Sequence, residues 1–263
     1  MLKIYYIIFV PLILWNCTQS KQKEPISFQE KMDSIIVASH NKYTNELNEI
    51  KKKEITSNYD DELSNFLKSQ NFVQGFKGTI YEKKGARIGD VFYTTCKIKG
   101  RIDNLYEVPF NCILSFEPLK NTEPNEFELE SPYHTLLMDL KDYDDVYFDG
   151  FFARNSQNNI AINGGKSEDA LFKNSEFNFN LINISKQKGS KLYSKELLEV
   201  FSINRKIFDT LNDKVNKKIN QKEWEERTRE LTKRGIVLEK KLSDREKVYS
   251  NMSKQYFTND YMD

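Results

Sequence analysis

The sequence predicts a mixed α+β chain: a helical segment, a small five-stranded barrel, and a long helical tail. Two observations on period carry this. Apolar residues recur at steps of three and four before residue 70 and after residue 194, as on one face of a helix. Between those borders the period drops to two, which marks half-buried strands. Charge supplies a third observation. The 263 residues hold 40 Lys and Arg against 39 Asp and Glu, a net charge of +1. Divided at the same borders, residues 18–72 carry −1, residues 73–185 carry −5 and residues 186–263 carry +6. A neutral total thus hides an acidic middle and a basic tail.

Residues 1–16 are expected to be a targeting segment. Lys3 precedes a twelve-residue apolar run, Ile4 to Trp15, interrupted by Pro11. A membrane-crossing helix needs about 20 apolar residues. Twelve suits the hydrophobic part of a signal peptide. Leu14-Trp15-Asn16-Cys17 follows, then a polar stretch. A leucine three residues before a cysteine resembles the lipobox of bacterial lipoproteins. Trp15 and Asn16 depart from the small residues usual there, and an ordinary secretory signal or an uncleaved anchor is the alternative. The resemblance implies acylation of Cys17, cleavage before it, and attachment to a lipid bilayer. Residues 17–26 then form a polar tether.

The segment 27–70 is expected to be helical. Ser27-Phe28-Gln29-Glu30 has the form of a capping box. Ile36, Tyr43, Leu47 and Ile50 form one stripe, and Tyr59, Leu63, Phe66 and Leu67 a second.

The barrel is expected over 71–185. Phe76–Tyr81 opens it. Phe92, Cys96 and Ile98 alternate with polar residues, as do Val108, Phe110, Cys112, Leu114 and Phe116. Asp103-Asn104 reads as the turn between them. Val146–Phe152 and Phe177–Leu181 supply the remaining strands. A short helix is expected at Pro132–Leu140, capped by Ser131. Three strands, a short helix and two strands are the plan of the OB barrel. Phe76-Lys77-Gly78-Thr79-Ile80, the run Ser131 to Phe152 and the aromatic strand Phe172 to Ile184 resemble the "tRNA anticodon-like" OB family of small bacterial envelope proteins. The resemblance implies a fold and leaves the ligand open.

The tail, 186–263, begins with a lysine-rich loop and a cap at Ser194. Leu197, Phe201, Phe208, Leu211 and Val215 form one stripe. A second runs through Trp224, Leu231, Leu238, Leu242, Tyr249, Met252 and Tyr256 at coiled-coil steps. The phase breaks near Asn220, where Asn220 and Glu223 resemble a second cap. A helical hairpin packed on the chain, or a coiled-coil seam giving self-association through 194–256, are the two alternatives.

For chemistry the chain offers little. It has two histidines, His40 and His134, and lacks the motifs of phosphate loops, zinc proteases and serine hydrolases. Gly164-Gly165-Lys166 reads as a turn. No cofactor is expected, and no enzymatic activity. An acidic barrel gives no reason to expect nucleic acid. Asp142, Asp144 and Asp145 gather three carboxylates before a strand, a weak ligand or cation contact. Cys96 and Cys112 should face each other across a hairpin centred on Asn104, as a disulfide or as two buried thiols. The expected function is that of a lipid-anchored module of the cell envelope, periplasmic or outer-membrane, binding an envelope protein or polymer. A small-solute or cation binder and an oligomeric scaffold are the alternatives.

Overall fold

The computed structural model describes residues 27–88, 91–102, 106–115, 139–154, 160, 162–163, 176–189 and 193–259. The targeting segment, Cys17, the tether, Gly164–Lys166, His134 and most of the Pro132–Leu140 segment lie outside the described residues. Of its last two residues, Asp139 stands in a turn and Leu140 is buried outside any helix.

Among the described residues there are five helices and one curled sheet, a mixed α+β architecture. Helix α1 (Phe28–Asn45) begins where the capping box placed it. The Glu30 backbone N–H donates to Ser27 Oγ at 3.1 Å, and the Ser27 N–H donates to Glu30 Oε2 at 2.6 Å. Helix α2 (Glu49–Ser69) is capped by Asn48, whose side chain accepts from Ile50 and Lys51. The first stripe therefore needs correcting. Ile36 and Tyr43 are buried, but Leu47 and Ile50 are exposed. Glu46 accepts from the N–H groups of Leu47 and Asn48, which ends the first helix and sets Leu47 in the linker. Of the second stripe, Tyr59, Leu63 and Leu67 are buried, and Phe66 is half-buried, stacked on Phe28 at 4.4 Å.

Strands β1 (Val73–Ile88), β2 (Val91–Ile102) and β3 (Tyr106–Ser115) follow, then β4 (Asp145–Phe152), a two-residue β5 (Ile162–Asn163) and β6 (Glu176–Ser185). Their order is β3-β2-β1-β4-β6-β5, with neighbours antiparallel, and β3 also pairs with β6 in parallel. The two-residue strand had no signal in the sequence. The sheet curls around an aromatic interior: Phe76, Phe110, Phe148, Phe152, Phe177 and Phe179 are all buried. Their rings meet mostly edge to face, as at Phe148–Phe179, 5.3 Å apart and 88° between planes. That geometry sets ring edges against the negative faces of neighbours.

The tail forms three helices, not the expected two: α3 (Lys195–Val215), α4 (Gln221–Glu239) and α5 (Asp244–Asn259). Ser194 caps α3, and Asn220 with Glu223 caps α4 through a reciprocal box. The second stripe is cut at residues 240–243. There the Ser243 hydroxyl donates to Glu246 Oε2 at 2.7 Å and starts a new helix. Both parts of the stripe still turn inward: Leu238, Leu242, Tyr249, Met252 and Tyr256 are buried within the chain. The tail covers the outer face of β4 and β6. Phe151 meets Phe201 and Phe257 edge-on at 5.1 and 4.9 Å, and Tyr256 donates to the Leu181 carbonyl at 2.7 Å. Two aromatic layers therefore share one sheet.

Candidate functional site

A cleft of about 470 Å³ opens between the first turn of α1, the start of β1 and the start of β4. Two devices fix its walls. The Gln29 side-chain amide donates to the Lys77 carbonyl at 2.9 Å and accepts from the Lys77 N–H at 2.8 Å. One glutamine thus satisfies both backbone groups of a strand residue, which otherwise would need a partner strand. The Thr79 hydroxyl donates to Asp145 Oδ1 at 2.7 Å and ties β1 to β4.

The cleft floor is apolar, from Phe28 and the buried Phe76, whose rings lie 6.0 Å apart. Its rim is charged. Glu30, Asp33 and Asp145 stand against Lys77 and Lys188, with Tyr147 between. Hydrogen bonds from the Ser27 backbone and hydroxyl hold the Glu30 carboxyl below its ordinary range, and Lys188 adds to this. Glu30 therefore stays ionised into mild acid. An apolar floor under a few fixed polar groups is the usual make-up of a binding site.

The three carboxylates singled out in the sequence do not converge. Asp142 is exposed in the turn. Asp144 accepts from the Lys141 N–H at 2.7 Å and pairs with Lys186 at 2.7 Å, and these two partners hold its carboxyl below the ordinary range. Asp145 alone reaches the cleft. Among the described residues, no group of three or more His, Cys, Asp or Glu side chains is placed to hold a metal ion. No family model matches the chain, and neither does any curated protein or solved structure.

Cys96 and Cys112 are paired residues of β2 and β3, in the register centred on Asn104. Both are buried and both are thiols in the structure. Burial pushes the Cys112 thiol well up, and the neighbouring Cys96 adds to the shift. A thiol held neutral is a poor nucleophile. In a Cys17→Ser form, a thiol reagent at pH 8 should therefore react slowly while the chain is folded. In denaturant without reductant it should titrate two thiols. A count of zero would establish the bridge.

Sequence reasoning missed Gln29, Asp33, Lys77 and Lys188. Gln29 and Asp33 sit on α1, Lys77 on β1 and Lys188 in the turn after β6, and only the docking of α1 on β1 brings them to one cleft. It also missed Asp149, a buried carboxylate on β4. It accepts from the Gly75 N–H at 2.7 Å, the Tyr193 hydroxyl at 2.7 Å and the Asn183 amide at 3.2 Å. A signal was present: one acidic residue inside the apolar run Val146–Phe152.

Proposed function

We propose that this chain is a lipid-anchored protein of the bacterial envelope, attached through acylated Cys17, that binds a ligand without transforming it. We read its curled sheet as a five-stranded OB-like barrel. The strand order and the parallel β3–β6 pairing support that reading, because together they join β1, β2, β3, β6 and β4 into one ring.

The observation that carries the binding reading is the cleft at Ser27, where the tether would join the fold. Its groups suit recognition by charge and hydrogen bonding: three carboxylates, two lysines and a tyrosine above an aromatic floor. The excess of carboxylates favours a ligand with cationic groups, such as an amine-bearing polymer or solute. A scaffold built from the tail is the weaker reading, since the coiled-coil stripe is buried inside its own chain.

Two measurements test this. The intact mass of protein extracted from membranes should exceed that of residues 17–263 by an acyl modification. Cys17→Ser should abolish that excess; a parent protein whose intact mass equals that of unmodified residues 17–263 would overturn the anchor. A thermal-shift screen of the soluble form tests the cleft. A ligand at a hundred times its Kd stabilises the fold by about 2.7 kcal/mol. Amine-bearing compounds should raise Tm, and Asp33→Lys should remove the rise. Retention of the full rise in that variant would place the ligand elsewhere.

A further inference from the structure

We infer that the last turns of α4 form a shallow docking surface for an anionic lipid bilayer. This deepens the anchored reading by naming the face that lies against the membrane. Helix α4 buries one side, at Thr228, Gly235 and Leu238. On the opposite side Arg229, Lys233 and Lys240 line up at steps of four and seven. Ile236 and Val237 flank this line and remain 51% and 56% exposed. Such spacing sets two aliphatic side chains beside a line of cations on one helical face, with Glu230 and Glu239 at its borders.

Residues 229–241 hold five basic and two acidic side chains. Both acids are paired, Glu230 with Lys233 at 3.2 Å and Glu239 with Lys254 at 2.5 Å, while Arg234 pairs with Glu199 and Lys247 with Asp244, so the charge offered to a bilayer rests on Arg229, Lys240 and Lys241. Lys247 of α5 joins Ile236 and Lys240 along the groove between the two helices. Lysine stems can lie on apolar surface while their ammonium groups stay among headgroups. A small apolar wedge bordered by cations is the composition of helices that rest in the bilayer interface. The size of the patch also selects the partner. A stable protein interface covers about 800 Å² on each side. Two half-exposed aliphatic residues fall far short of that, yet suffice for partial insertion between lipids when the charges do the rest.

The test uses the mature chain, residues 17–263, carrying Cys17→Ser, so that no acyl chain contributes. It is sedimented with vesicles of equal parts phosphatidylglycerol and phosphatidylcholine, and with pure phosphatidylcholine vesicles. Binding is expected to the first only, and to weaken as salt rises. Each basic residue near an anionic surface contributes about 1 kcal/mol, or about fivefold in affinity. Lys240→Gln with Lys241→Gln should therefore weaken binding by about thirtyfold. Ile236→Ser with Val237→Ser should weaken it by several-fold at unchanged charge. Lys51→Gln with Lys53→Gln, on exposed positions of α2, should leave it unchanged. Circular dichroism confirms that each variant is folded. The inference is overturned if the protein stays in the supernatant with anionic vesicles at low salt. Loss in the α2 variant equal to that in the α4 variants also overturns it. So does full binding by Ile236→Ser/Val237→Ser, which would reduce the surface to a generic polycation. Whether Cys17 is acylated is read separately from the intact mass, so the two readings fail independently.

Discussion

Replacing Gly150 by alanine should destabilise the fold by about 3 kcal/mol, at the upper end of the cost of overpacking a core. Gly150 sits in β4 at a register shift, opposite Leu181 of β6. A Cβ built there would collide with the backbone carbonyl oxygen of Asn180 and would come within 2.6 Å of the Phe179 ring. The ring could rotate away only into Phe76, Phe110, Phe148 and Phe152, which already surround it. The carbonyl belongs to a strand buried on both faces and cannot retreat. Two other glycines calibrate the result. At Gly75 an added Cβ meets nothing within 4 Å, but φ is +67°. Alanine there should cost about 1 kcal/mol from the left-handed backbone alone. At Gly235, inside α4, the nearest atom is a methyl of Ile203 at 3.4 Å. Alanine there should be neutral or should gain up to about 1 kcal/mol from helix propensity. Urea unfolding of the three variants gives the order. Equal midpoints for Gly150→Ala and the parent would show that β4 and β6 do not approach as described.

Those glycines also mark where the sequence was readable. The alternation of Phe110 and Cys112 with polar neighbours reports one buried face, so the strands were legible. The register of β2 on β3 was legible too: the turn expected at Asp103-Asn104, which lies outside the described residues, sets Cys96 against Cys112 by arithmetic alone, and the strands pair in that register. Capping residues located the starts of α1, α3 and α4, since Ser27, Ser194 and Asn220 act within four residues of themselves. Helix ends were less visible. The chain leaves α1 at Glu46 because a glutamate side chain accepts from the next two N–H groups, which no apolar period reports. Helix α5 begins anew at Ser243 while the coiled-coil steps run on across the break. There the period correctly named Leu238, Leu242, Tyr249, Met252 and Tyr256 as buried and did not report that two helices carry them, and in the stripe before it Val215 is exposed.

The cleft was illegible for a different reason. Its walls come from residues 27–33, 74–79, 145–147 and 188, joined only by tertiary docking. The carboxylate cluster at 142–145 looked like a site because its members are adjacent in sequence. Adjacent residues in a turn point apart, and Asp144 and Asp145 take different partners. The sheet's second covered face was equally hidden. Val146–Phe152 lacks the polar alternation of a one-sided strand, and that lack is the trace left by α3 and α5 packing on its outer side.

Asp149→Ala should cost about 3 kcal/mol or more, because it strips one acceptor from three donors at once. The carboxylate is 7% exposed and lies on the outward side of β4, beneath the tail. The Gly75 N–H comes from the bend in β1, the Asn183 amide from β6, and the Tyr193 hydroxyl from the segment leading into α3. One side chain therefore ties both neighbouring strands of β4 to the tail. A hydrogen bond to a charged group contributes about 1.5–3 kcal/mol, and a buried donor left without a partner costs about 1–3 kcal/mol. Asp149→Asn keeps the shape but turns one acceptor into a donor that faces donors, so it should recover less than half of the loss. Tyr193→Phe alone should cost about 1 kcal/mol. In the Asp149→Ala background the same change should cost less, because that hydrogen bond is already gone. Such non-additivity is what a double-mutant cycle measures for residues in one network. Additive losses would mean that the two groups act separately, and that the tail is held to the sheet by aromatic packing alone. Amide exchange supplies a second readout. Loss of this anchor should speed exchange in α3 more than in the β1–β2 pairing from Thr79 onward, since the segment leading into α3 docks through Tyr193 and α3 through Phe201, while that pairing makes no contact with Asp149.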